Sequence, residues 1–227
     1  MEHSIEIGPV TTANPSMTKE NDEENNVSIY EPCDDSFALV DALLTNRADL
    51  VELRPNLCME IGCGSGYVIA LLAIMLASQG RTWVHYMATD LYEVAAQVTC
   101  KTLVAHGVHA ESEEVGCHGI AASWVGGEHG RRVIDCILLV VQHLLSIRGP
   151  FYLVTLTANN PLEICLMMRE KGYDSWIILQ RSTEEKSLHV LKFWRLRTHP
   201  QRESDIANAS SNSSYFTLCH WAFRRGR

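Results

Sequence analysis

Basic residues are sparse: 19 Lys and Arg stand against 27 Asp and Glu, a formal net charge of −8. No Lys/Arg block interrupts the apolar-periodic stretch, which argues against a broad phosphate-binding surface and leaves room only for a local groove. The eight cysteines include no C-x-x-C pair. Several lie in apolar runs, where a reduced thiol behaves as a small hydrophobe. No apolar run reaches the ~18 residues of a membrane span, and no secretory signal opens the chain. A soluble protein of a reducing compartment, the cytoplasm or the nucleus, is expected. Asn208-Ala-Ser210 and Asn212-Ser-Ser214 match the glycosylation pattern, but without a secretory signal they read as accidental. No internal repeat is visible.

What is present fits one sizeable α/β core with two tails: 227 residues, 46% hydrophobic and 20% charged. Residues 1–27 are polar and acidic, with Glu20, Asp22, Glu23 and Glu24 close together, and are expected to stay disordered. An extended entry leads into a helix near Asp34 to Leu44, with Phe37, Val40 and Leu44 at helical spacing. Strands are expected near 57–61, 83–88 and 151–156, and Val108 to Ala110 could form a short one. Helices are expected near 67–77, 93–105, 131–145 and 161–171. Asn160 is placed to start the last helix and Gly172 to stop it. Residues 176–179 and 188–194 read as a closing antiparallel pair. This order describes a doubly wound sheet with a terminal hairpin. After Trp194 the character changes: Ser and Asn dominate 204–214, and Tyr215-Phe-Thr-Leu-Cys-His-Trp-Ala-Phe223 follows. We read 195–227 as a flexible extension, the sharper alternative being a short sticky segment for a partner or membrane surface.

The run Cys58-Met-Glu-Ile-Gly-Cys-Gly-Ser-Gly66, with Met87-Ala-Thr-Asp90 after it, carries the chemistry. It reads as strand, glycine turn, helix, strand and acid. Glycines let a ligand approach the backbone, the helix start offers N–H groups and a positive dipole end, and the acid can accept hydrogen bonds from ribose hydroxyls. A nucleoside-containing cofactor is implied. Gly62, Gly64 and Gly66 give G-x-G-x-G, whereas a dinucleotide fingerprint needs its third glycine at position 67, which is Tyr67. Glu60 adds a carboxylate just before the turn, which would repel a pyrophosphate and suit a sulfonium with an amino-acid end. S-adenosylmethionine is therefore preferred to a nicotinamide or flavin dinucleotide. The plain alternative is a glycine-rich turn with no ligand.

Other candidates weigh less. His106, His109, Cys117 and His118 could be metal ligands, but their spacing is poor, and no metal is expected. Glu113 and Glu114 read better as a solvated loop than as bases. Ile137, Leu138, Val141, Leu144 and Leu145 form a stripe that should face the sheet rather than a partner. Trp124 lies in a glycine-rich loop and could line a substrate mouth or anchor that loop.

Tyr30-Glu-Pro-x-x-Asp-Ser36, Met59-Glu-Ile-Gly-Cys-Gly-Ser-Gly66, Thr89-Asp90, His118-Gly-Ile120, Trp124-Val-Gly-Gly127, Phe151-Tyr-Leu-Val-Thr155 and Val190-Leu-Lys-Phe193 together resemble the eukaryotic HemK-like methyltransferases. The resemblance covers residues 30–194 and implies a class I methyltransferase, a Rossmann-like doubly wound α/β fold. It implies S-adenosylmethionine as cofactor, held by Glu60, Gly62, Gly64, Gly66 and Asp90, with Ser36 closing over it. The implied substrate is the glutamine side-chain amide of the GGQ tripeptide in class I translation release factors. The implied partner is a small zinc-binding activator subunit.

The family's catalytic Asn-Pro-Pro-Tyr, which ends its fourth strand and orients the substrate amide, is absent. Asn160-Pro161 is the nearest dipeptide and follows a later strand. The resemblance implies that roughly thirty residues are missing near 110–112, about one strand and its crossover. The expected domain is thus 28–194 with an internal deletion, lacking its fourth strand and any catalytic residue. The edge of Cys58 to Ile61 should then face nothing, unless the strand at Phe151 slides over. We expect a destabilised chain with impaired activity. Two alternatives stand beside that reading: a non-catalytic variant that binds cofactor or activator, and an adenine N6 methyltransferase on DNA, which the acidic balance disfavours.

Overall fold

The computed structural model describes residues 31–90, 93–108, 131–183, 186–195 and 215–219. The acidic segment 1–27, the glycine-rich stretch 111–130 and most of the tail beyond Arg195 lie outside these residues.

Two helices open the described chain, α1 (Asp34–Thr45) and α2 (Arg47–Leu53). Strand β1 (Leu57–Ile61), helix α3 (Tyr67–Ala77), strand β2 (His85–Thr89) and helix α4 (Glu93–Ala105) follow. Then come α5 (Arg131–Leu144), β3 (Phe151–Leu156), a single 3-10 turn at Thr157–Asn159, α6 (Pro161–Glu170) and the strands β4 (Tyr173–Ser182) and β5 (Ser187–Arg195). A last strand, β6, spans Tyr215–Cys219. The six strands form one sheet in the order β2-β1-β6-β3-β5-β4. β2, β1, β6 and β3 run parallel, and the hairpin β4–β5 closes the sheet by antiparallel pairing of β5 with β3.

The core has a layer on each face of the sheet. β3 is buried at every residue but its last, as a central strand covered on both sides should be. Its alternation sends Tyr152 and Val154 to one face, where they join Leu39, Leu43, Val68, Leu72 and Met75 of α1 and α3. Phe151 and Leu153 go to the other face with Val133, Ile134, Ile137, Leu138 and Val141 of α5 and Ile164 and Met168 of α6. α3 is buried nearly all round because α4 covers its far side, with Ile69, Ala70 and Ala73 against Leu103. Charged pairs tie the opening helices to the hairpin: Asp41 of α1 with Arg181 of β4, and Asp49 of α2 with Lys192 of β5 at 3.0 Å.

Several expectations hold. β1, α3 and α4 start and stop where expected, and the stripe Ile137, Leu138, Val141 and Leu145 faces the core, with Leu144 half exposed. Others are corrected. The buried face of α1 is Ala38, Leu39, Ala42 and Leu43 with Val40, while Phe37 and Leu44 are exposed. Leu39 and Leu43, one turn apart, face the core, and the apolar-rich segment leaves Phe37 and Leu44 on the other side. Trp83 precedes β2 rather than opening it and is 91% exposed. Val108 closes the turn after α4 by donating to Leu103 O at 3.0 Å and begins no strand; Ala110 lies outside the described residues.

The largest correction concerns the sheet centre. The edge of β1 does not face an empty gap, and β3 does not slide over to it. β6 stands between them, in a stretch expected to belong to a flexible extension over 195–227. It pairs with β1 from Leu57↔Tyr215 to Ile61↔Cys219, and with β3 from Phe151↔Thr217 to Leu153↔Cys219. The physical reason is the cost of leaving buried backbone groups unpaired, about 1–3 kcal/mol each. A five-residue run of aromatic and β-branched character can satisfy both neighbours at once.

Candidate functional site

The site is built where β1 gives way to α3. Gly62, Gly64 and Gly66 adopt φ of 78°, 53° and 78°, a region that disfavours residues with a Cβ. The turn is held from the end of β2. Thr89 O accepts from the amides of Gly62 at 2.7 Å and Cys63 at 3.1 Å, and the Asp90 carboxylate accepts from the Gly64 amide at 2.9 Å. The turn closes on itself through Gly66 N–H to Cys63 O at 2.8 Å.

Glu60 lies beneath the turn with no exposed surface. Its carboxylate accepts from the Ile69 amide at 3.1 Å, so it sits against the first turn of α3. The helix start expected to be open to an anionic ligand thus already carries an acidic side chain of the protein itself, at the end where the helix dipole favours negative charge. A pyrophosphate would meet that buried negative charge. The neighbouring Cys63 thiol registers the same field. Its pKa is pushed well up, first by burial, then by the Glu60 carboxylate and more weakly by Asp90, with Thr99 opposing. The turn therefore gathers two acids, Glu60 and Asp90, an arrangement better matched to a cationic or neutral group than to a pyrophosphate.

Two residues that sequence reasoning missed support the cradle from α4. Thr99 Oγ1 donates to Gly64 O at 3.2 Å, and Thr102 Oγ1 donates to Ser65 O at 2.9 Å. Their i, i+3 spacing places both hydroxyls on one helix face; hydroxyls at that spacing on the helix following the acid were the available signal. Contact is close: a Cβ on Gly66 would lie 2.8 Å from Thr99 Cα.

Ser36 is on α1, buried, with its hydroxyl accepting from the Cys33 amide at 3.4 Å. Asp35 beside it accepts from the Ser36 amide at 2.9 Å and from the Cys33 thiol at 2.7 Å. The first turn of α1 is fixed beside the first turn of α3 by an edge-on contact of Phe37 and Tyr67, ring centroids 5.7 Å apart. The structure thus binds Glu60, Gly62, Gly64, Gly66 and Asp90 into one unit, with the Ser36 turn next to α3.

Asn160 has a local role. It precedes α6 with φ of 55°, its side-chain amide donates to Glu163 at 2.9 Å, and Pro161 occupies the first helical position. Gly172 stops that helix at φ 84°. Of the metal candidates, only His106 lies in the described residues, among which no group of three or more ligating side chains is found. His109, Glu113, Glu114, Cys117, His118 and Trp124 lie outside them. Cys33, Cys58, Cys63, Cys100, Cys136 and Cys165 are free thiols, and no described helix is long and apolar enough to cross a membrane.

No family model matches the chain. The chain is 37% identical over 196 residues to "Methyltransferase HEMK2" of Homo sapiens, covering 73% of this chain and 89% of that protein. It is 26% identical over 209 residues to the "eRF1 methyltransferase catalytic subunit mtq2" of Schizosaccharomyces pombe, covering 74% of this chain and 90% of that one. Among solved structures it is similar to the E. cuniculi Mtq2-Trm112 complex, described as responsible for methylation of the eRF1 translation termination factor. That likeness has a TM-score of 0.46 and 22% identity, over 74% of this chain and 99% of the other.

Proposed function

The chain belongs to the HemK-like methyltransferase family, and from that premise we propose that it binds S-adenosylmethionine at the glycine turn but is impaired in methylating the GGQ glutamine of a class I release factor. The observation that carries the cofactor reading is the pair of carboxylates, Glu60 and Asp90, joined by hydrogen bonds to α3 and to the turn. The donor set fits the group. When bound, S-adenosylmethionine supplies an electrophilic methyl on a positively charged sulfur. Asp90, only partly buried, is a carboxylate of the kind that accepts hydrogen bonds from ribose hydroxyls in such sites. Glu60 would act from beneath the turn through its charge, and the Ser36 turn would flank the ligand from α1.

The impaired half of the reading rests on the absent Asn-Pro-Pro-Tyr. The alignment with the human relative is 196 residues long yet takes in only 73% of this chain, fewer residues than it has positions. A gap on the scale of a strand and its crossover accounts for that difference. Amide methylation depends on holding the nitrogen in line with the methyl group, and most of its acceleration is positional. A cradle without the orienting residues should retain binding and lose rate. The small activator subunit is proposed as a partner on the family resemblance alone.

The test is calorimetry with S-adenosylmethionine beside a methyl-transfer assay on a release factor carrying GGQ. Binding heat without transfer is the expected result. Transfer at the rate of an intact relative would remove the impaired reading, and absence of heat would remove the cofactor reading. Methylation of a DNA adenine in place of the protein substrate would reverse the choice of substrate.

A further inference from the structure

We propose that the space between β1 and β3 is a binding slot for one parallel strand, and that the chain's own Tyr215–Cys219 is its exchangeable occupant. β6 pairs along the whole of β1, from Leu57↔Tyr215 to Ile61↔Cys219, and along half of β3, from Phe151↔Thr217 to Leu153↔Cys219. β1 has β2 on its other side and β3 has β5. Both strands therefore become central only through β6, and the backbone of α5 comes close to it.

The path to the slot is short, and the tether is long. β5 ends next to the start of β3, because Phe193 faces Phe151 in the antiparallel register. β6 enters from that same edge, since Thr217 faces Phe151 in the parallel register. The chain needs to pass only β3, two strand spacings or about 10 Å. The connection is 196–214, and that many residues can reach on the order of 60 Å. A connection of that length spans the distance several times over. The occupant is thus recruited locally, at high effective concentration, and can leave. The slot also bears on the cradle: Cys219 is level with Ile61, the residue before Gly62, so β6 backs the strand from which the turn springs.

The experiment is hydrogen exchange on the full chain without cofactor, so its outcome does not depend on the proposed function. The amides of 215–219 should exchange at least ~100-fold more slowly than in the free peptide 211–223, and together with those of 57–61. Thr217→Pro removes a ladder donor from a strand paired on both sides. It should abolish protection at 215–219 and weaken it at 57–61 and at Gly62, while Ser210→Pro, ahead of the strand, changes nothing. Excess peptide 211–223 added to the Thr217→Pro chain should restore protection at 57–61. Free-peptide exchange rates at 215–219 in the unmodified chain overturn the proposal, and that reading survives even if the proline variant fails to fold. Peptide that restores nothing to a folded variant overturns the exchangeable slot. Protection that rises with protein concentration overturns the chain's own tail as occupant in favour of a second copy's.

Discussion

The Glu60 carboxylate accepts the Ile69 amide at 3.1 Å, joining the end of β1 to the third residue of α3 across the glycine turn. One buried acid thereby anchors a helix start beside the cradle, and two substitutions separate that anchoring from any effect of its charge on the ligand. Glu60→Gln keeps an acceptor of the same shape and removes the charge. It should weaken S-adenosylmethionine binding by about tenfold, as titration calorimetry would measure, with little change in stability. Glu60→Ala also strands the Ile69 amide and should cost about 1–3 kcal/mol of unfolding free energy. Equal affinity in Glu60→Gln and the parent would show that the charge does not reach the ligand.

Gly66 and Gly107 offer a matched comparison. Both have positive φ, 78° and 73°, but a Cβ on Gly66 meets Thr99 Cα at 2.8 Å, whereas Gly107 has nothing within 4 Å. Gly107→Ala should lose only the roughly 1–2 kcal/mol of a left-handed alanine. Gly66→Ala should lose that plus about 1–3 kcal/mol of overpacking against α4. Urea unfolding of the two variants reads the difference directly. Equal losses would mean that α4 yields to the methyl group.

Most of the site was legible because its elements are local. The spacing of Gly62, Gly64 and Gly66 between an apolar strand and an apolar helix locates the turn, and Asp90 follows a second strand in sequence. The roles within it were not all legible. Whether Glu60 faces a ligand or the helix start depends on three-dimensional direction, which spacing does not carry. α2 was missed because seven residues give little periodicity, and it is capped by Arg54, whose φ of 53° no composition rule demands. β6 was missed for a different reason. Five residues in a Ser/Asn-rich tail carry no information about partners 158 positions earlier in β1 and 66 positions earlier in β3, and the slot exists only where β1 and β3 are left apart.

The hydroxyls of Thr99 and Thr102 reach carbonyls of the turn from α4. Thr→Val at either position preserves shape and removes one hydrogen bond, a change worth about 0.5–1.5 kcal/mol. Each single variant should remain folded. The double variant should lower cofactor affinity more than stability alone explains, because Gly64 also donates to Asp90 and loosening its carbonyl loosens both. A thermal scan with and without S-adenosylmethionine measures this: the stabilisation by ligand should shrink. An unchanged ligand-induced shift in the double variant would reduce both threonines to packing.

His189 on β5 supplies a pH dependence with a definite sign. It is buried, its Nε2 lies 3.0 Å from Thr157 Oγ1, and Nδ1 has no hydrogen-bond partner. Burial lowers its pKa below the usual 6.5, because the charged ring cannot be solvated there. As pH falls through about 6.5, the unfolded chain takes up a proton that the folded chain refuses. Unfolding free energy should therefore be flat for this group above about pH 7.5 and decline below 6.5 until the folded histidine also protonates. The slope has a ceiling of about 1.4 kcal/mol per pH unit for one proton. Carboxylates contribute at lower pH, so the diagnostic window is pH 7.5 to 5.5. Within it, His189→Gln, which cannot titrate, should flatten the profile from urea unfolding, with the parent and variant curves converging as the pH falls. Parallel curves for the two proteins would mean that His189 binds its proton equally in both states.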